Sequence, residues 1–179
     1  MKNSHNTPQQ NGLSYYTQKT ECDAELNTVL LSFRTKWDTL KEEERRYAIQ
    51  DIADYLAKVL VLGETPLILY ANPSNSHFLC ADCKGSYNNN SNTTYININL
   101  MNDAFTTINT IAHEMTHAYQ HKAAPIGTYT EEELKVREGT EIVGQFTNAA
   151  YRCQPVEIDA RMVGDAMEEK VKTFPRLNP

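Results

Sequence analysis

Apolar residues recur three and four positions apart through much of this chain, and alternate with polar ones in one short stretch. These two periods separate helices from strands. Over residues 23–37, Leu26, Val29, Leu30 and Phe33 fall on one face of a helix. A second helix is expected from Thr39, whose hydroxyl has the spacing of a capping box with Glu42. Ile49, Ile52, Leu56 and Val59 or Leu60 line its apolar face, and Gly63 fits its end. Residues 66–70 (PLILY) form a short apolar run that predicts a buried strand, and short strands are also expected near 77–80 and 85–87 within an Asn/Ser/Gly-rich segment. Residues 94–100 (TYININL) alternate, with Ile96, Ile98 and Leu100 on one side and Tyr95, Asn97 and Asn99 on the other, which predicts a half-buried strand.

A helix then runs from about 102 or 106 to 122, with Phe105, Ile108, Ile111, Ala112 and Met115 as its apolar face. Thr130 and Glu133 have capping-box spacing and open a further helical segment that reaches 150 in pieces. Pro155 suits the first position of a last helix over roughly 155–171. The expected fold class is α+β, with a small mixed or antiparallel sheet and several helices. Residues 1–20 are rich in Asn, Gln, Ser and Thr and read as a flexible tail; residues 21–179 read as one domain.

Composition narrows the function classes. With 17 Lys and Arg against 23 Asp and Glu, the chain carries a net charge of −6 and shows no basic stripe, so a nucleic-acid partner is not expected. No run reaches the ~18 apolar residues of a membrane span, and the polar N-terminus lacks the apolar stretch of a secretory signal. A cytoplasmic location is expected, with export by another route left open.

The chemistry concentrates in His113-Glu114-Met115-Thr116-His117. Residues four apart stack on one helical face, so both imidazoles can grip one metal ion. Glu114 is turned about 100° around the axis from His113, beside the metal rather than on it. From there it can act as general base towards water activated by the metal. This is the physical meaning of an HExxH helix, and zinc is its usual metal.

A catalytic zinc needs a third protein ligand. An arrangement with a further His six residues after His117 is excluded, because Ala123 stands there and Gln120 stands where that arrangement needs Gly. A later helix can instead supply a Glu. Glu157 is favoured: it lies in the first turn of the helix begun by Pro155, and Ala160 and Gly164 continue its face with side chains small enough for close packing. Asp159 is the alternative, while Glu131 to Glu133 read as a solvated helix start. His121 shares the face of His117 but stands one turn, ~5 Å, further along the axis, which suits substrate or surface contact better than ligation.

The segments HEMTHAYQ and RCQPVEIDA, with the block around 85–100, resemble the zincin superfamily in its gluzincin branch, and in particular a group of small bacterial and phage-associated metallopeptidases. The resemblance covers roughly residues 85–165. It implies a zinc peptidase with His113, His117 and Glu157 as metal ligands, Glu114 as general base, and a peptide or protein as substrate. Tyr151, Arg152 and Tyr129 are the candidates for stabilising an oxyanion, and the strand at 94–100 is a candidate sheet edge for pairing with an extended peptide. One departure is Arg161, which stands where the thermolysin-like pattern carries an Asp; the nearby acid is Asp159, a candidate for orienting His113 or His117. A zincin-fold binding protein without activity and a zinc hydrolase of a non-peptide substrate are the alternatives. Cys80 and Cys83 have the spacing of half a zinc site, but without a second close pair they favour no metal over a second ion.

Overall fold

The computed structural model describes residues 24–71, 83–124, 126–130, 134 and 152–174. Within them, helix α1 (Ala24–Lys36) leads through a single 3-10 turn to α2 (Glu42–Leu60). Strands β1 (Leu67–Ala71), β2 (Gly85–Asn88) and β3 (Thr93–Asn97) follow, then α3 (Ala104–Lys122) and α4 (Pro155–Thr173). This is an α+β architecture of four helices and a small mixed sheet among the described residues. The expected tail at 1–20, the strand near 77–80 and most of the helical segment after Thr130 lie outside them. Leu134 is described, and its N–H donates to the Thr130 carbonyl at 3.1 Å, a helix-type bond.

The strand order is β1-β3-β2, with β3 parallel to β1 and antiparallel to β2. The 94–100 expectation is therefore corrected twice. The strand is shorter, because 98–100 curl into a 3-10 turn. It is also the central strand, paired on both sides, and not a sheet edge. Asn97, expected to face outward, is fully buried: its amide donates to the Cys83 carbonyl at 2.9 Å and its Oδ1 accepts from Asn99 N–H at 3.1 Å. The β2–β3 hairpin closes through an Asn-rich turn. Asn92 takes a left-handed conformation (φ 47°) that Asn tolerates, and Asn88 Oδ1 accepts from Ser91 N–H at 3.1 Å.

β1 differs from expectation as well. It is the other outer strand, and Leu67 and Leu69 are 56% and 39% exposed, so the PLILY run is not a buried strand. The helices cover one face of so small a sheet. α2 packs against β1, and α3 against β2 and β3.

One core joins all four helices. Leu26, Leu30, Phe33 and Trp37 meet Ile49, Ile52 and Leu56 of α2, Ile108, Ile111 and Met115 of α3, and Val163, Met167 and Val171 of α4. The expected apolar faces thus point inward as periodicity requires. The start of α2 does not fall at Thr39. That hydroxyl donates to the Lys36 carbonyl at 2.7 Å, closing the preceding turn, and Glu44 instead reaches back to accept from Lys41 N–H at 2.7 Å. α3 begins on Asp103, whose carboxylate accepts from Thr106 N–H at 2.8 Å. α4 has Pro155 in its first turn. Its C-terminal end is held by Arg34, which donates to the Val171 and Phe174 carbonyls at 2.8 and 2.7 Å.

The C-terminus of α2 stores strain. Val61, a β-branched residue 69% exposed, sits in the left-handed region at φ 55°. Its side chain contributes little packing to set against that strain. Val61→Gly should relieve ~1–2 kcal/mol of it and raise the thermal midpoint by about 2–8 °C. A melt followed by circular dichroism checks this, and an unchanged or lower midpoint refutes the strain.

Candidate metal centre

His113 and His117 project from the same face of α3, one turn apart, with their rings edge-on at 4.7 Å between centroids. Their Nε2 atoms lie 3.0 Å apart. Glu157, in the first turn of α4, brings Oε1 to 3.2 Å from His117 Nε2 and Oε2 to 3.4 Å from His113 Nε2. Among the described residues these three form the group that could hold a metal ion. His117 and Glu157 are 1% exposed and His113 18% on its side chain, so the group opens to solvent on the His113 side.

The donor set fits a small divalent cation. Ligand atoms ~2.0–2.1 Å from a tetrahedral zinc stand about 3.3–3.4 Å from one another. The two imidazole Nε2 atoms at 3.0 Å, with one Glu157 oxygen 3.2 Å from His117 Nε2 and the other 3.4 Å from His113 Nε2, come close to that spacing. Electrostatics agree. Burial opposes ionisation of Glu157, but the charges and hydrogen bonds of His117 and His113 outweigh it and hold the carboxyl well below the usual carboxylate range.

Close packing of α4 on α3 delivers Glu157 to the histidines. Even an alanine side chain is too large at the tightest point: a Cβ on Gly164 would stand 2.9 Å from the Asn109 carbonyl oxygen and 2.9 Å from its Oδ1. Ala160, one turn nearer the site, is fully buried. The small face expected at 160 and 164 is therefore the contact surface between the two helices.

Glu114 is 5% exposed and lies under β2. A Cβ on Gly85 would meet its Cγ and Oε1 at 2.8 Å, so glycine is what lets this strand run directly over the carboxylate. His121 is not part of the group; its ring faces Tyr87 of β2 at 6.1 Å. Tyr129 donates its hydroxyl to Asp159 Oδ2 at 2.9 Å, which ties the 126–130 loop to the first turns of α4. Burial first, and then the Asp159 carboxylate, push this hydroxyl well above the ordinary tyrosine range, so it stays a neutral donor. Arg152 is exposed just ahead of α4, and its carbonyl accepts from Arg161. Tyr151 lies outside the described residues.

Two contributors were not singled out by sequence. Gln120 accepts from His117 Nδ1 through Oε1 at 2.7 Å and donates through Nε2 to the Val156 carbonyl at 2.8 Å. Its position three residues after His117 was the available signal, since side chains at that spacing meet on a helix. Asp159, the expected orienting acid, is engaged by Tyr129. Gly85 was read only as part of a strand. Of the cysteine pair, Cys83 is disulfide-bonded, with its partner outside the described residues. A disulfide sulfur is not a thiolate, so Cys83 offers no ligand to a second zinc ion in this form.

Compared with models of known protein families, with curated proteins and with solved structures, the chain matches none. Fold and site therefore define an α+β protein with a buried, helix-borne His-His-Glu group capable of holding one metal ion. Among the described residues no helix is long and apolar enough to cross a membrane.

Gly164→Ala should cost ~1–3 kcal/mol in a denaturant titration, because the opposing atom is backbone and α4 must move away from α3. Unchanged stability would show that the helices are not in the close contact described.

Proposed function

We propose that this protein is a zinc-dependent peptidase of the gluzincin kind, with His113, His117 and Glu157 as metal ligands and Glu114 as general base. The observation that carries the reading is the convergence of the two imidazoles and Glu157 within 3.0–3.4 Å, on a helix that also carries Glu114 between the histidines. A purely structural cluster would not require a carboxylate at Glu114. Here that residue is buried beside the group and accommodated by a glycine on the overlying strand.

Bound in this group, zinc supplies Lewis acidity: it acidifies water and polarises a carbonyl. The chain's residues do the rest. Glu114 takes a proton from the attacking water and hands it to the leaving amine. Ile111, Ala112, Met115 and Ala118 are fully buried and form a dry wall on which local charges act strongly. β2 takes the place first expected of the 94–100 strand. Among the described residues it pairs with β3 and lies next to α3, and its other edge is the proposed register for an extended peptide. Tyr129 and Arg152 are the described candidates for oxyanion contact, and the neutral Tyr129 hydroxyl is the better placed by its link to α4.

The test combines metal analysis with turnover. Wild type should contain about one zinc per chain, and Glu157→Ala should lose it or bind it far more weakly. Glu114→Gln should keep its zinc while cleavage of a peptide library falls by at least ~100-fold. Folded wild type that takes up no zinc refutes the reading. A zinc-loaded protein whose function survives Glu114→Gln is a binding protein, and one that turns over only non-peptide substrates is a different hydrolase.

A further inference from the structure

We propose that Gln120 is a positioning residue that locks His117 in the Nδ1–H tautomer and fastens that imidazole to α4. The proposal deepens the metal reading but begins from geometry that needs no metal.

A side-chain amide has two ends, and here each faces a different partner. The Val156 carbonyl can only accept a hydrogen bond, so the end of Gln120 that meets it at 2.8 Å must be the NH2 group. The oxygen is therefore the end that meets His117 Nδ1 at 2.7 Å. An amide oxygen can only accept, so Nδ1 must carry the proton. The orientation of the amide and the tautomer of the imidazole are thus fixed by a chain of hydrogen bonds that starts at a backbone carbonyl. Both side chains are essentially buried, at 3% and 1% exposure, so water does not offer either an easy alternative partner.

Two consequences follow for the site. With Nδ1–H held by Gln120, Nε2 is the nitrogen of His117 that faces His113 and Glu157: without a metal it can carry a proton and donate to Glu157 at 3.2 Å, and once free of that proton it presents the lone pair a metal requires. Val156 also immediately precedes Glu157. The one amide thereby connects a ligand on α3 to the backbone that carries the ligand on α4, and holds the two at 3.2 Å.

The experiment reads the tautomer of the metal-free protein by two-bond 15N–1H correlation NMR of 15N-histidine samples, above the pH at which imidazoles titrate. It pairs this with zinc affinity measured by chelator competition. Wild type should show His117 as Nδ1–H. Gln120→Met, which removes both hydrogen bonds, should move His117 towards Nε2–H and weaken zinc ~10–100-fold. Gln120→Glu, which keeps an acceptor, should keep Nδ1–H. An Nε2–H His117 in wild type overturns the proposal, as does a folded Gln120→Met with tautomer and affinity unchanged. If Gln120→Met does not fold, wild type and Gln120→Glu carry the test, and loss of Nδ1–H in the latter overturns it. Wild type with the expected tautomer but no zinc binding sinks the metal reading and leaves the lock standing.

Discussion

The approach of α4 to α3 at Gly164 governs the arrangement of the metal-capable group. Ordinary side chains hold helix axes 8–10 Å apart, and a glutamate is too short to be indifferent to that spacing. With no Cβ at 164, the Asn109 backbone comes within what would be 2.9 Å of one, and Ala160 keeps the gap narrow towards the site. Glu157 can then reach both imidazoles from the first turn of its own helix. That position also favours a negative charge, because the N-terminal N–H groups of α4 point towards it. At the far end of α4, Arg34 binds the last carbonyls, so the helix is held at both ends.

Burying two imidazoles and a carboxylate is costly unless each is satisfied. The structure meets this condition by collecting them into one network. Glu157 faces both histidines, Gln120 takes the far nitrogen of His117, and the Val156 carbonyl holds Gln120. The surrounding apolar residues of α3 and α4 make these bonds stronger by excluding water, and they make the loss of any one member more damaging. Such a network is a precise way of presenting three donors to one point. It is also the arrangement that would let a single cation replace several imperfect contacts.

The sheet contributes through one strand. β3, in the centre, is consumed by pairing with its two neighbours, while β2 lies over α3 with Gly85 against Glu114. Glu114 is thereby confined between helix and strand, next to the strand edge that the proposed peptide would use. The backbone just before β2 is fixed from both sides: Cys83 is in a disulfide, and its carbonyl accepts from the buried amide of Asn97.

Much of the helical framework was legible in sequence because helix geometry is local. A period of 3.6 residues fixes which side chains share a face, so His113 and His117, the apolar stripes of α1 to α3, and the small face of Ala160 and Gly164 could all be read from spacing alone. Pro155 likewise announced the start of α4, since its fixed φ and missing N–H suit a first turn. Tertiary structure decided what spacing cannot express. Alternation at 94–100 does not say how many neighbours a strand will have, and the outcome was a central strand with a buried Asn97. The apolar run at 66–70 became an outer strand because its burial depended on cover from other segments. Thr39 closed the turn before it and left the capping role to Glu44, a choice between two local bonds of similar strength. Gln120 acquired its role only when Val156 arrived from another helix. The sequence determined which residues could share a helical face; the packing of α4 on α3 and of β2 over Glu114 decided which of them would meet, because those contacts join residues whose distance in the chain carries no geometric rule.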